Sequence, residues 1–237
     1  MNQLSIKISN IIQNIKASNF ERKLVNTCSS FNTSSRFGLW EMIRLFKQML
    51  KNKAQGDIVE CGVQCGAYLI FFQKLIEEYN LENRKIFGYD TFQGIPEPTN
   101  FDIFTDGNSM KKRYEELKID DSTSKWNYAS LEEVKKNYFQ NTSKNDNLIT
   151  IKGKVENTLL IKDNIPNKIA ILKLDTCLYE GVKITLETLY PRLQKGGILI
   201  VDNYLNFQGV QKATDEYFKF NSDLLSLNKL TKRMIIN

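Results

Sequence analysis

The sequence predicts an α/β domain built on a doubly wound, Rossmann-like sheet, mostly parallel with a C-terminal antiparallel strand pair and interrupted by a helical insertion. Three observations carry this prediction. Short apolar, β-branched runs alternate with segments whose apolar residues recur every three or four positions. The first such run passes directly into glycines and then into a helical pattern. Later runs end in acidic residues, at the strand ends where a sheet of this kind forms its ligand crevice.

Taken in order, the segment from Met1 to Ser18 places Ile6, Ile8, Ile11, Ile12 and Ile15 among polar residues. It lacks the compact apolar stretch and cleavage site of a signal peptide, so a short amphipathic helix in a cytoplasmic protein is expected. Lys7 and Lys16 are too few cations for a membrane-surface helix, which leaves packing on the domain or on a second copy of the chain. Helical spacing follows over Arg36 to Leu50, Ala67 to Tyr79, Tyr179 to Leu193 and Phe207 to Phe220. Strands are predicted over Asp57 to Val63, Lys85 to Asp90, Leu148 to Gly153, Ile169 to Asp175 and Gly197 to Asp202. The runs Leu224 to Leu230 and Lys232 to Ile236 suggest the terminal antiparallel pair. Between Gly94 and Asn147 the rhythm breaks into polar, aromatic and charged sequence, longer than a compact crossover requires. It reads as a helical lid with helices near Met110 to Leu117 and Ser130 to Phe139. The whole chain is one domain, with N-terminal helices in 1–50 and the lid in 94–147.

Composition narrows the chemistry. With 41% hydrophobic and 25% charged residues and no apolar run of the ~20 residues that a span needs, a soluble protein without a membrane span is expected. The formal charge of +6 is spread along the chain without a dense basic tract or base-stacking motif, which argues against nucleic acid and fits an anionic small molecule. Four cysteines, Cys28, Cys61, Cys65 and Cys177, form no CxxC pair and read as reduced, buried thiols. The absence of histidine removes Ser-His and Cys-His catalysis and the commonest general base.

Three motifs carry the candidate chemistry. In Asp57-Ile-Val-Glu-Cys-Gly-Val-Gln-Cys-Gly66 the strand runs into glycines that let backbone approach a ligand, in a spacing that is not GxGxxG. Asp90, closing Phe87-Gly-Tyr-Asp90, is suited to accept two hydrogen bonds from a ribose diol, or to cap a helix. The strand ends Leu174-Asp-Thr-Cys-Leu-Tyr-Glu180 and Ile200-Val-Asp-Asn-Tyr204 bring Asp175, Asp202 and Asn203 toward one crevice, where oxygen ligands would suit a hard ion such as Mg²⁺; caps and turns are the other reading.

From about Arg36 to Phe218 these residues resemble the S-adenosylmethionine-dependent macrocin-type sugar O-methyltransferases. The similarity runs through Gly56 to Val63, Gly88-Tyr-Asp-Thr-Phe-Gln-Gly-Ile-Pro-Glu-Pro98, Lys152-Gly-Lys-Val-Glu-Asn-Thr158, the two strand ends above and Phe207-Gln-Gly209. The resemblance implies a class I methyltransferase fold. It puts the cofactor's methionine near Glu60, Cys61, Gly62 and Gly66, its ribose at Asp90 and Thr91, its adenine near Gly153, Val155 and Glu156, and Asp175 beside the cofactor as well. It further implies a Mg²⁺ site at Asp175, Asp202 and Asn203, and a catalytic set of Asp175, Asp202 and Cys177. Two positions depart from the family pattern. Cys177 stands where the family's proposed basic Asp lies, and Asn203 stands where a third carboxylate is usual.

The expected activity is methyl transfer to an oxygen of a sugar or sugar-linked metabolite in glycan or natural-product biosynthesis. Three alternatives stay open: an already anionic acceptor oxygen of a phosphate, phosphoramidate or carboxylate; a catalytically silent cofactor-binding protein; and, disfavoured by the missing dinucleotide fingerprint, a nucleotide-binding oxidoreductase.

Overall fold

A computed structural model describes residues 13–31, 35–81, 83–143, 146–219, 226–228 and 233–236. Most of the predicted N-terminal helix, and Phe220 at the end of another, fall outside the described residues. Two helices, α1 (Asn19–Ser29) and α2 (Arg36–Lys51), precede strand β1 (Asp57–Cys61) and helix α3 (Ala67–Glu78). Strand β2 (Ile86–Asp90) leads into the insertion, which holds α4 (Met110–Leu117) and α5 (Leu131–Asn141). Then come β3 (Leu148–Lys152), the single turn α6 (Val155–Thr158), β4 (Ile169–Leu174), α7 (Tyr179–Leu189), β5 (Leu193–Val201), α8 (Gln208–Tyr217), and the strands β6 (Ser226–Asn228) and β7 (Arg233–Ile236).

The sheet has seven strands in the order β3-β2-β1-β4-β5-β7-β6. The first five are parallel, and β7 pairs antiparallel with both β5 and β6. The strand order reverses between β1 and β4, which opens a crevice at their C-terminal ends. Serine caps begin several helices. Ser18 and Glu21 form a reciprocal capping box on α1, and Ser35, Ser109 and Ser130 cap α2, α4 and α5.

Two boundaries differ most from the sequence expectation, while β1 and α8 also end short of it, at Cys61 and Tyr217. The predicted helix from Tyr179 to Leu193 stops at Leu189, because Pro191 offers no N–H to a further turn and a 3₁₀ turn follows over Tyr190–Arg192. Strand β5 starts at Leu193 rather than Gly197. Leu193 already pairs with Ile169, and pairing resumes at Ile198 with Ile171, so Gly196 and Gly197 lie in a bulge inside the strand.

Buried apolar residues fall into two layers, one on each face of the sheet. Ile58, Ile171 and Ile200 point to the layer of α1, α2 and α3, while Val59, Leu172 and Leu199 point to that of α7 and α8. The insertion contributes to both. In α5, Val134 and Tyr138 are fully buried with the α2–α3 layer, and in α4 Met110 is fully buried with the opposite one. The Tyr138 hydroxyl donates to Gln73 Oε1 at 2.9 Å, and Asn137 Nδ2 donates to the Cys65 carbonyl at 3.0 Å. Helix α5 is therefore part of the core at this end of the sheet.

Tyr138→Phe keeps the ring and removes one buried hydrogen bond, so it is expected to cost about 1–2 kcal/mol of global stability. Urea denaturation followed by circular dichroism checks this; a midpoint equal to the parent's would mean that α5 unfolds apart from the rest.

Candidate active site

The end of β1 is shaped by contact with its neighbours. Asp175 N donates to the Cys61 carbonyl at 2.7 Å, and Gly62 N donates to the Tyr89 carbonyl at 2.8 Å. Gly62 has φ +91°, and a Cβ there would lie 2.5 Å from the Asp175 carbonyl oxygen, so a side chain is excluded on both counts. The following amides of Val63 and Gln64 donate to Asp90 Oδ2 at 2.7 and 3.0 Å, and Phe92 N donates to Asp90 Oδ1 at 2.7 Å. Burial pushes the Asp90 carboxyl up, and these three amides pull against it. One carboxylate thereby fastens the turn after β1 to the end of β2.

Below this turn lies a buried group of charges. Glu60 and Lys173 share the sheet face of Ile58 and Ile171. The Lys173 ammonium is fully buried, 2.5 Å from Asp175 Oδ2, 3.2 Å from Glu60 Oε1, 3.5 Å from Asp202 Oδ2, and 4.3 Å from the centre of the Tyr68 ring. Burial alone would lower its pKa, but Asp175, Glu60 and Asp202 overcome that and hold it above the ordinary lysine value. Arg233 on β7 grips Asp202 with two hydrogen bonds, Nε to Oδ1 at 3.0 Å and a terminal nitrogen to Oδ2 at 2.9 Å. It also reaches the Gly38 carbonyl, Glu41 and the Tyr68 hydroxyl. Burial would raise Asp202, but Arg233 and then Lys173 outweigh it and keep the carboxyl below its usual range. Asp175 is raised by burial in spite of Lys173. Removing one partner of such a buried pair typically costs about 3–5 kcal/mol.

Above the turn, a cleft of about 290 Å³ opens at the switch point. Seven of the predicted cofactor residues line it: Gly62, Asp90, Thr91, Gly153, Val155, Glu156 and Asp175. Cys177 and Asn203 line it too, on the side of β4 and β5. Glu60, Cys61 and Gly66 do not. The side chains of Glu60 and Cys61 are packed into opposite layers of the sheet, and Gly66 serves the fold, since a Cβ there would sit 3.1 Å from Val134 of α5. Asp202 also stays outside the lining, turned under toward Arg233. Residues that the motifs did not single out complete the wall, notably Gln64, Ile95, Asn127, Lys154, Thr176 and Leu178.

The donor set decides which groups the site suits. The Thr176 hydroxyl is buried behind the cleft wall and finds no hydrogen-bond partner among the described residues. The Mg²⁺ expected at Asp175, Asp202 and Asn203 fits less well. Asn203, at φ +62°, turns Nδ2 toward Asp175 Oδ1 at 2.8 Å, while its own Oδ1 accepts from Asn206 Nδ2 at 2.8 Å. That network fixes the amide with its donor, not its oxygen, facing the carboxylate. The two carboxylates are paired with Lys173 and Arg233, and among the described residues no group of three or more His, Cys, Asp or Glu side chains is arranged to hold a metal ion. The Cys177 thiol is pushed well above its usual value by burial, with Asp175 and Asp202 adding to the effect, so it is a neutral thiol and not a thiolate base.

The sequence profile of the Macrocin-O-methyltransferase (TylF) family matches residues 32–230. The chain belongs to this family. Among relatives of the macrocin-O-methyltransferase family, demethyldecarbamoylnovobiocin O-methyltransferase of Streptomyces niveus is 27% identical over 190 residues, covering 77% of this chain and 67% of its own. Mycinamicin III 3''-O-methyltransferase of Micromonospora griseorubida is 28% identical over 172 residues, covering 71% of this chain and 62% of its own. The chain thus spans about two thirds or less of these relatives' length. The fold is similar to that of the O-methyltransferase NovP, with a TM-score of 0.68 at 24% identity over 86% of this chain and 81% of that one. It is also similar to a calicheamicin methyltransferase, with a TM-score of 0.56 at 21% identity over 93% of each chain. A macrocin-O-methyltransferase family fold accounts for the class I methyltransferase sheet, and among the described residues no helix is long and apolar enough to cross a membrane.

Burial raises the Glu60 carboxyl to about 8 against the pull of Lys173. A carboxyl raised in the folded state stabilises the fold fully below its unfolded value and loses that contribution as pH rises through the folded one. The ligand-free protein is therefore expected to lose thermal stability between pH 6 and pH 9 more steeply than Glu60→Gln does. Differential scanning calorimetry at both pH values checks this, and parallel curves would rule Glu60 out as the group responsible.

Proposed function

We propose that this chain transfers a methyl group from S-adenosylmethionine to an oxygen of a sugar or sugar-linked small metabolite, in glycan or natural-product biosynthesis. The observation that carries this reading is one continuous cleft that joins the family's cofactor motifs to the ends of β4 and β5. The backbone of Gly62 to Gln64 and of Gly153 to Glu156 would hold the cofactor's two ends, with Asp90 between them. When bound, the cofactor supplies an electrophilic methyl group on its sulfonium sulfur. Asp175 is the cleft carboxylate on the side of β4 and β5, and it would accept the proton of the attacking hydroxyl while Lys173 and Asn203 fix its orientation. Ile95 and Leu178 would exclude water from the reacting atoms. A reducing, cytoplasmic setting belongs to this reading and is supported by the free thiols of Cys28, Cys61, Cys65 and Cys177.

An already anionic acceptor is the second reading, favoured by the uncharged Cys177 and Asn203 beside Asp175. Incubating the chain with isotopically labelled cofactor and a metabolite extract, then following the label by mass spectrometry, identifies the acceptor. Cofactor binding without label transfer to any pool would favour a silent binding protein.

Asp90→Ala should weaken S-adenosylhomocysteine binding about tenfold or more, because charge-assisted hydrogen bonds are worth about 1.5–3 kcal/mol each. Calorimetry on the folded variant checks this, and an unchanged affinity removes Asp90 from the cofactor site. Cys177→Asp separates the two acceptor classes. It should preserve or raise turnover on a neutral hydroxyl, whereas a fall of about tenfold would mark an anionic acceptor repelled by the added charge.

A further inference from the structure

A divalent cation shared by Asp175 and Asp202 would have to stand between the ends of β4 and β5. That place is taken. The Lys173 ammonium bridges the two carboxylates, at 2.5 and 3.5 Å, and touches Glu60 at 3.2 Å from the other side. Arg233 covers both oxygens of Asp202. Asn203 presents a hydrogen-bond donor to the remaining oxygen of Asp175 and commits its carbonyl oxygen to Asn206.

The geometry points to a methyltransferase centre in which Lys173 and Arg233 replace the divalent cation, so that the chain holds its strand-end carboxylates and works without a metal. Mg²⁺ demands near-octahedral coordination by oxygen. To bridge the Oδ2 atoms of Asp175 and Asp202 it must displace the fully buried ammonium that lies between them, which has no route to water. The displaced charge would then lie unpaired beside a dication, an arrangement that a buried site does not tolerate. Both cations come from regular elements and are buried, Lys173 next to the last residue of β4 and Arg233 at the start of β7, so neither can swing aside as a surface lysine would. The carboxylate oxygens that would ligate a metal are held instead by fixed protein charges and by Asn203, which orient Asp175 toward the cleft.

This inference rests on the proposed methyl transfer only for the identity of the site, and the test separates the two. Mn²⁺ is titrated into the full chain, with and without S-adenosylhomocysteine, and free and bound metal are distinguished by electron paramagnetic resonance. The expected result is that the signal of aqueous Mn²⁺ persists, and that methyl transfer survives exhaustive chelation. One equivalent of bound Mn²⁺ that disappears in Asp175→Asn would overturn the proposal. Lys173→Met, which vacates the central position, should bind Mn²⁺ about tenfold or more tighter than the parent. A folded Lys173→Met variant with no such gain would also overturn it; should that variant fail to fold, the titration of the parent decides. Calorimetry with S-adenosylhomocysteine runs alongside: a chain that binds the cofactor together with Mn²⁺ loses only the metal-free claim, and a chain that binds no cofactor loses the functional reading.

Discussion

The buried ammonium of Lys173 is the contact on which the site depends. It ties Glu60 on β1, Asp175 at the end of β4 and Asp202 at the end of β5 to a single positive charge beneath the cleft. Parallel strands in a doubly wound sheet fan apart at their C-terminal ends, and that divergence creates room for a ligand. Acidic residues placed there repel one another as well as attracting ligands, and the interior screens such repulsion poorly. Lys173, with Arg233 behind it, holds the carboxylates close: Asp202 stays below its usual range, while burial still raises Asp175 and Glu60. The turn above them then needs only Gly62 and the amide bonds to Asp90 to hold its shape.

Much of the fold was legible because its signals are local. Each strand of the parallel sheet was placed to within a few residues, and Pro191 was the one overlooked signal that ended a helix early. Much of the cleft wall was also readable, since glycines and strand-end carboxylates mark it directly. What the sequence could not supply was pairing. Lys173, inside Ile169-Ala-Ile-Leu-Lys-Leu174, is the one charged residue in an otherwise apolar buried strand, and that anomaly was available to a careful reading. Its partners on β1 and β5 are set by register, which no local pattern encodes. Asp202 and Asn203 read as metal ligands because residue type shows what a side chain could bind. It does not show the hydrogen bonds that Arg233 makes to Asp202 and Asn206 to Asn203.

The same limit applies to the insertion. A polar stretch of unusual length reads as a lid, because nothing in its composition reveals that Val134 and Tyr138 are core residues. The structure divides it between two faces, α5 against α3 and α4 against the opposite layer. The cleft is then framed by segments whose ends are both anchored, with Ile95 and Asn127 contributed by the connecting stretches.

Arg233 lies on the strand that follows every other member of the sheet in the chain, yet it reaches Asp202, Glu41 and the Gly38 carbonyl near the start. During synthesis, the residues that need its charge therefore leave the ribosome long before it does. Until β7 docks, Asp202 lacks the two hydrogen bonds that Arg233 supplies and has Lys173 as its nearest cation. The last strand therefore closes the charge balance of the interior as well as the edge of the sheet: without it the hydrophobic layers would enclose an acidic residue gripped from one side alone.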